Sequence, residues 1–100
     1  MTSHQFDHYI LYHENDPSSR VKATVHCFYG DASVGYIRFY SGEVPGPEVL
    51  SGGLLEIAFG AERIHEIIMT LRYEKPLFIS AQGKKSVLST VREPVGEQEA

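Results

Sequence analysis

Cysteine occurs once in these 100 residues, at Cys27, so the chain cannot close a disulfide on itself, which fits a reducing compartment. No apolar run approaches the ~20 residues of a membrane-spanning helix. The opening "MTSHQF" lacks the basic start and apolar centre of a secretion signal. Both absences lead to the expectation of a cytosolic chain that neither crosses nor sits on a membrane. A basic surplus is missing too: 9 Lys+Arg stand against 13 Asp+Glu. Three of the acids, Glu93, Glu97 and Glu99, fall in the last eight residues, leaving residues 1–92 with 9 bases and 10 acids. Proteins that neutralise nucleic-acid phosphates carry excess Lys and Arg, so this balance counts against that class.

The signature motifs of catalysis are equally scarce. There is no CxxC pair, no G-x-S-x-G nucleophile turn and no G-x-x-x-x-G-K-[ST] phosphate loop. "HEIIM" begins like the zinc-protease helix, but Met69 stands where that motif needs its second histidine. His8 and His13, five apart on one strand, face opposite ways, and His4 joins His8 only if the strand reaches the N-terminus. No metal and no cofactor are expected.

What the chain does have is strand-forming sequence. Hydrophobic residues make up 42% and charged residues 22% of the chain, an ordinary globular composition that can supply a core without metal or staple. "FDHYILYH" (6–13) and "RVKATVHCFY" (20–29) are rich in β-branched and aromatic residues, and the turn-forming "ENDPSS" between them makes a hairpin. "GDAS" turns into "VGYIRFY", giving three strands of an antiparallel meander. Residues 41–53, "SGEVPGPEVLSGG", hold four glycines and two prolines and form one long loop.

"LLEIAF" (54–59) is a fourth strand. "GAERIHEIIMTLRYEK" is a helix on which Ile64, Ile67, Ile68 and Leu71 make a single apolar stripe. Met69 and Tyr73 project away from that stripe. Pro76 ends the helix, "LFISAQ" is a fifth strand and "SVLSTVR" a sixth, with Lys84 and Lys85 at the turn between them. The expected fold is α+β: an antiparallel sheet with one helix on one face, in the order β-β-β-β-α-β-β. It occupies residues 1–92 as a single domain, followed by an acidic tail over 93–100. Whether the last two strands stay at home or complete a neighbouring copy is open.

Alternation along the strands sorts the candidate site residues. Gly35, Ile37 and Phe39 share the core face with Val21, Ala23, Val25 and Cys27, while Val34, Tyr36, Arg38 and Tyr40 point outward. Lys22, Thr24, His26 and Phe28 join them there. Cys27 is thus a small core residue and cannot pair with His26. The outward set Lys22, His26, Phe28, Tyr36, Arg38 and Tyr40 has the chemistry to stack bases and hold phosphates. "GYIRF" matches the second half of the RNP1 signature, but Ala32, Ser33 and Val34 replace its opening half, and RNA-recognition domains place a helix between their first two strands. Tyr, Arg and Phe are also the residues enriched where proteins meet.

Read together, "YIRFY", "SGGLLEIAF", "LRYEKPLFIS" and "VREPVGE" resemble small bacterial proteins of unassigned function that pair an "SGG" strand with an "EKP" helix end and an "EPVGE" tail. The resemblance spans residues 34–97, implies a bacterial cytosolic origin, and brings no reaction or catalytic residue with it. In element order alone, four strands then a helix over residues 6–74, the chain is similar to PC4-like and Whirly-like single-strand DNA binders. The leading expectation is a non-catalytic interaction or accessory module, a homodimer joined through the helix-free sheet face. One alternative is weak single-stranded nucleic-acid binding through that face. Another is a small-ligand binder or enzyme at the 41–53 loop, where Ser51, Gly52 and Gly53 allow close backbone approach.

Overall fold

The computed structural model describes residues 2–90. Strands β1 (Thr2–Phe6), β2 (His8–His13), β3 (Val21–Tyr29), β4 (Ala32–Tyr40), β5 (Glu48–Val49) and β6 (Leu55–Gly60) precede one helix, α1 (Ile64–Tyr73). β7 (Leu77–Gln82) and β8 (Lys85–Ser89) follow it. The chain is α+β, with mostly antiparallel strands and a single α-helix among the described residues. The expected tail over 93–100 lies outside the described residues, as do Val91 and Arg92.

The strands divide into two sheets, ordered β2-β3-β4-β6-β5 and β1-β7-β8. The expected strand over residues 6–13 is broken at Asp7, and its first part, extended back to Thr2, belongs to the smaller sheet. Asp7 is where the chain crosses. Its backbone N–H and His8 both face Phe28, Asp7 donating to the Phe28 carbonyl at 2.9 Å, the two-against-one arrangement of a β-bulge. Its carboxylate accepts the N–H of Gly30 at 2.9 Å and a hydrogen bond from His8 Nδ1 at 2.7 Å. That ionised corner sits outside the core and holds the β3–β4 turn to the start of β2. The two hydrogen bonds, His8 first and then Gly30, hold the Asp7 carboxyl below its usual range.

The hairpins β2–β3 and β3–β4 are antiparallel as expected, but β4 and β6 run parallel, with Ile37 opposite Ile57. This one relation accounts for the long loop. A parallel neighbour must begin at the same end as its partner, so the chain needs about a dozen residues to return. Residues 41–54 make that journey, and on the way Glu48 and Val49 pair with Glu56 and Leu55 as a short edge strand. A 3₁₀ turn over Ser51–Gly53 closes this hairpin, with Gly52 and Gly53 at φ 77° and 80°, where a side chain would be strained.

The core lies between the sheets. Ala23, Val25, Cys27, Ile37, Phe39, Leu55 and Ile57 from the larger sheet meet Phe6, Leu77 and Ile79 from the smaller one, with Ile67 and Leu71 from α1. Ile64, Ile67 and Leu71 of the expected helix stripe therefore land on the core, while Ile68 is half-buried at its margin. However, the layer covering the larger sheet is shared between α1 and the smaller sheet. β7 pairs with β1 and with β8 of the same chain. Fully buried side chains such as Phe39, Ile37, Leu55 and Ile79 each contribute about 1.5–3 kcal/mol by leaving water.

Two further bulges alter the expected faces. Val21 stands opposite Tyr40 and Ala23 opposite Phe39, so Lys22 is the extra residue and Val21 moves to the outer face beside Tyr40. At the other end, Cys27 pairs with Gly35 and Phe28 with Ser33, making Val34 the extra residue. Val34 packs against the core, contrary to its expected outward direction, and Ser33 takes its place outside.

Candidate functional site

The outer face of the five-stranded sheet carries the residues the sequence singled out, except that Lys22 lies in a bulge at its rim. They form a ladder across the strands. Phe28 and His26 have ring centroids 4.2 Å apart, and His26 stacks on Tyr36 at 4.5 Å. The Arg38 guanidinium lies over the Tyr36 ring at 5.0 Å. These neighbours follow from register: His26 faces Tyr36 on β4, and Tyr36 faces Glu56 on β6. His26 Nε2 and Ser33 Oγ share a hydrogen bond of 2.7 Å, fixing the imidazole at the centre of the stack.

The cations of this face are engaged. Arg38 Nε donates to Glu56, with 29% and 20% of the two side chains exposed, and Arg38 NH1 donates to Thr24 Oγ1 at 3.2 Å. Thr24 Oγ1 in turn donates to Glu14 Oε2 at 3.1 Å, extending the network to a second acid. Lys22 Nζ donates to the Ser19 carbonyl at 2.8 Å. Arg20 lies 5.5 Å over the Tyr40 ring and donates to the Glu43 carbonyl. An aromatic stack is thus present, while the charge beside it is largely spent within the chain.

Sequence reasoning did not find the margin of this face. On β2, Ile10 faces His26 and Tyr12 faces Thr24, and these two side chains are 46% and 48% exposed. Their alternation with Tyr9 and Leu11, which pack on the core, was readable from "HYILYH". Glu56 was not findable in the same way, because its place beside Arg38 depends on the parallel β4–β6 pairing. Thr24, by contrast, follows from the alternation on β3.

The loop candidates lie elsewhere. Ser51, Gly52 and Gly53 form the β5–β6 turn, where the Gly53 carbonyl accepts a hydrogen bond from His4 Nε2 at 2.8 Å. An open depression of about 330 Å³ borders the same long loop, but it is lined by Val44, Pro45, Gly46, Arg63 and Lys84 rather than by the SGG turn. A larger open cleft of about 680 Å³ runs between the end of α1 and the Asp7 corner, against Tyr9, Arg72, Tyr73 and Lys75. Ser86 also lines the smaller depression, where its Oγ accepts the Ala58 N–H at 3.1 Å, and no histidine or carboxylate lines that depression beside it. The described residues contain no group of three or more His, Cys, Asp or Glu placed to hold a metal ion.

Cys27 is fully buried, and burial pushes its thiol up to about 12, which leaves it protonated and inert at neutral pH. Among the described residues no helix is long and apolar enough to cross a membrane. Comparisons with protein-family models, curated proteins and solved structures found no match.

Proposed function

We propose that the protein is a non-catalytic interaction or accessory module of the cytoplasm that works as a homodimer, joined through the helix-free face of its larger sheet. The observation that carries this reading is the apolar margin of that face. Ile10 and Tyr12 stand nearly half exposed on an edge strand, continuous with Phe28, His26 and Tyr36. Burying such a patch is favourable at about 25 cal/mol per Å² removed from water. A protein contact with an aromatic centre and a polar rim has this composition.

The electrostatics favour a protein over a phosphate backbone as the occupant. Arg38, Arg20 and Lys22 already have partners within the chain, and Glu14 and Glu56 add negative charge to the face. Releasing Arg38 for a phosphate would strand Glu56 half-buried without its counter-charge. Sedimentation velocity in the presence of a labelled single-stranded oligonucleotide tests the reading. The chain should sediment as a dimer while the label stays free. A monomer that carries the label, with affinity falling as salt rises, overturns the proposal.

A further inference from the structure

The edge of β2 is an open hydrogen-bonding row on the same apolar margin. β2 is the outermost strand of its sheet, and its pairing with β3 runs without interruption from His8 to His13. Glu14 N–H donates to the Lys22 carbonyl at 3.0 Å at the end of this ladder. In an antiparallel ladder such bonds recur every second residue, so the groups of His8, Ile10 and Tyr12 also face β3. The N–H and C=O groups of Tyr9, Leu11 and His13 therefore point away from the sheet. Beyond the Asp7–His8 bulge, "YILYH" (9–13) has no proline, no lysine and no further bulge, and these are the usual devices that keep an exposed edge from pairing.

Resting on the homodimer reading, but placing the seam at the edge of the larger sheet rather than over the middle of its face, we infer that two copies join edge to edge through β2, antiparallel about a two-fold axis at Leu11, merging their five-stranded sheets into one. The sequence is self-complementary in this register. Leu11 meets its own copy, and Tyr9 meets His13, so every outward backbone group of these three residues finds a partner. On the outer face Ile10 stands opposite Tyr12 of the other copy, an aromatic against a β-branched residue, a favourable cross-strand combination. One step further out, His8 stands opposite Glu14, which sets an imidazole against a carboxylate at both ends of the seam. His8 uses Nδ1 for Asp7 and Glu14 uses Oε2 for Thr24, which leaves Nε2 and Oε1 for a contact across the seam. A second copy is therefore a better occupant than an arbitrary extended peptide, which would match the backbone row but not this pattern.

Because Ile10 and Tyr12 are exposed, charge can be placed there without entering the core. In Ile10→Lys/Tyr12→Lys the inferred register sets lysine against lysine twice, and the dimer should dissociate at least tenfold more readily. In Ile10→Lys/Tyr12→Glu the same register sets lysine against glutamate twice, and dimerisation should return. The readout is the dimer dissociation constant by sedimentation equilibrium, with far-ultraviolet circular dichroism to establish folding.

Should either variant fold poorly, hydrogen exchange on the native chain gives an independent answer. The amides of Tyr9, Leu11 and His13 should be protected at high concentration and lose protection on dilution. A Lys/Lys variant as dimeric as the native chain overturns the edge seam. If Tyr36→Ser/Tyr40→Ser then dissolves the dimer, the homodimer reading survives through the middle of the face. A folded Lys/Glu variant that stays monomeric overturns the Leu11 register. A monomeric native chain overturns both the seam and the reading beneath it.

Discussion

Gly35 on β4 lies opposite Leu55 on the parallel strand β6, so close that a Cβ would fall inside van der Waals contact of the Leu55 carbonyl oxygen and 2.8 Å from Ile79 Cδ1. The glycine of "GYIRF" is thus required by the approach of β6 from one side and the smaller sheet from above. Gly35→Ala should destabilise the protein by about 3 kcal/mol, because backbone atoms cannot step aside as a flexible side chain would. Urea denaturation checks this. A loss below about 0.5 kcal/mol would show that the two strands have room to separate.

Arg38 joins β3, β4 and β6 on the outer face by bonding Thr24 and Glu56 at once while covering Tyr36. Arg38→Ala leaves Glu56 partly buried without a donor and should cost about 1–2 kcal/mol. Arg38→Lys should recover less than half of that, since a single ammonium cannot reproduce the planar fork. Equal stability of the lysine variant and the native chain, read from the same denaturation curves, would contradict the two-partner role.

The Asp7 corner predicts a pH dependence of known sign. Its carboxyl titrates lower in the folded chain than in the unfolded one, where aspartates titrate at about 3.9. The stability it contributes is therefore complete above the unfolded value and is lost as pH falls through the lower folded value. Asp16, lowered by hydrogen bonds from the Ser18 hydroxyl and N–H, acts in the same direction. Asp7→Asn keeps an acceptor for Gly30 but removes the titration, so its melting temperature should fall less between pH 5 and pH 2 than that of the native chain. Parallel curves for the two proteins would remove Asp7 from the acid response.

Cys27 gives a probe of global opening. With its side chain sealed between the sheets and its thiol at about 12, labelling by a disulfide reagent at pH 8 should be slow in the native state. The rate should rise with denaturant in step with unfolding, as for a group exposed only when the core opens. Immediate stoichiometric labelling in native buffer would show that the site opens locally.

Local signals carried much of the fold because local physics decided it. The stripe Ile64, Ile67, Ile68 and Leu71 specifies a helix face by its spacing alone, and Pro76 bounds that helix. "LFISAQ" matches β7 residue for residue. The alternation of Ile37 with Arg38 and of Val25 with His26 placed most of the outer face correctly. Relations between distant segments were not legible. Nothing within "QFDHY" marks Asp7 as the bend between sheets, because the reason is the N–H of Gly30, 23 residues away. Each bulge adds a residue to one strand, so parity reversed at Val34 and Val21 although their neighbours kept it. Glu56 could be placed beside Arg38 only once β4 and β6 were known to be parallel neighbours, and that pairing also turned a suggestive glycine-rich loop into a return path.

In the proposed dimer, two copies of this chain meet through the larger sheet. Multi-angle light scattering of the native chain across a concentration series tests it most directly. The mass should rise toward twice the 11.2 kDa of one chain as concentration increases. A mass that stays at 11.2 kDa at millimolar concentration would contradict it.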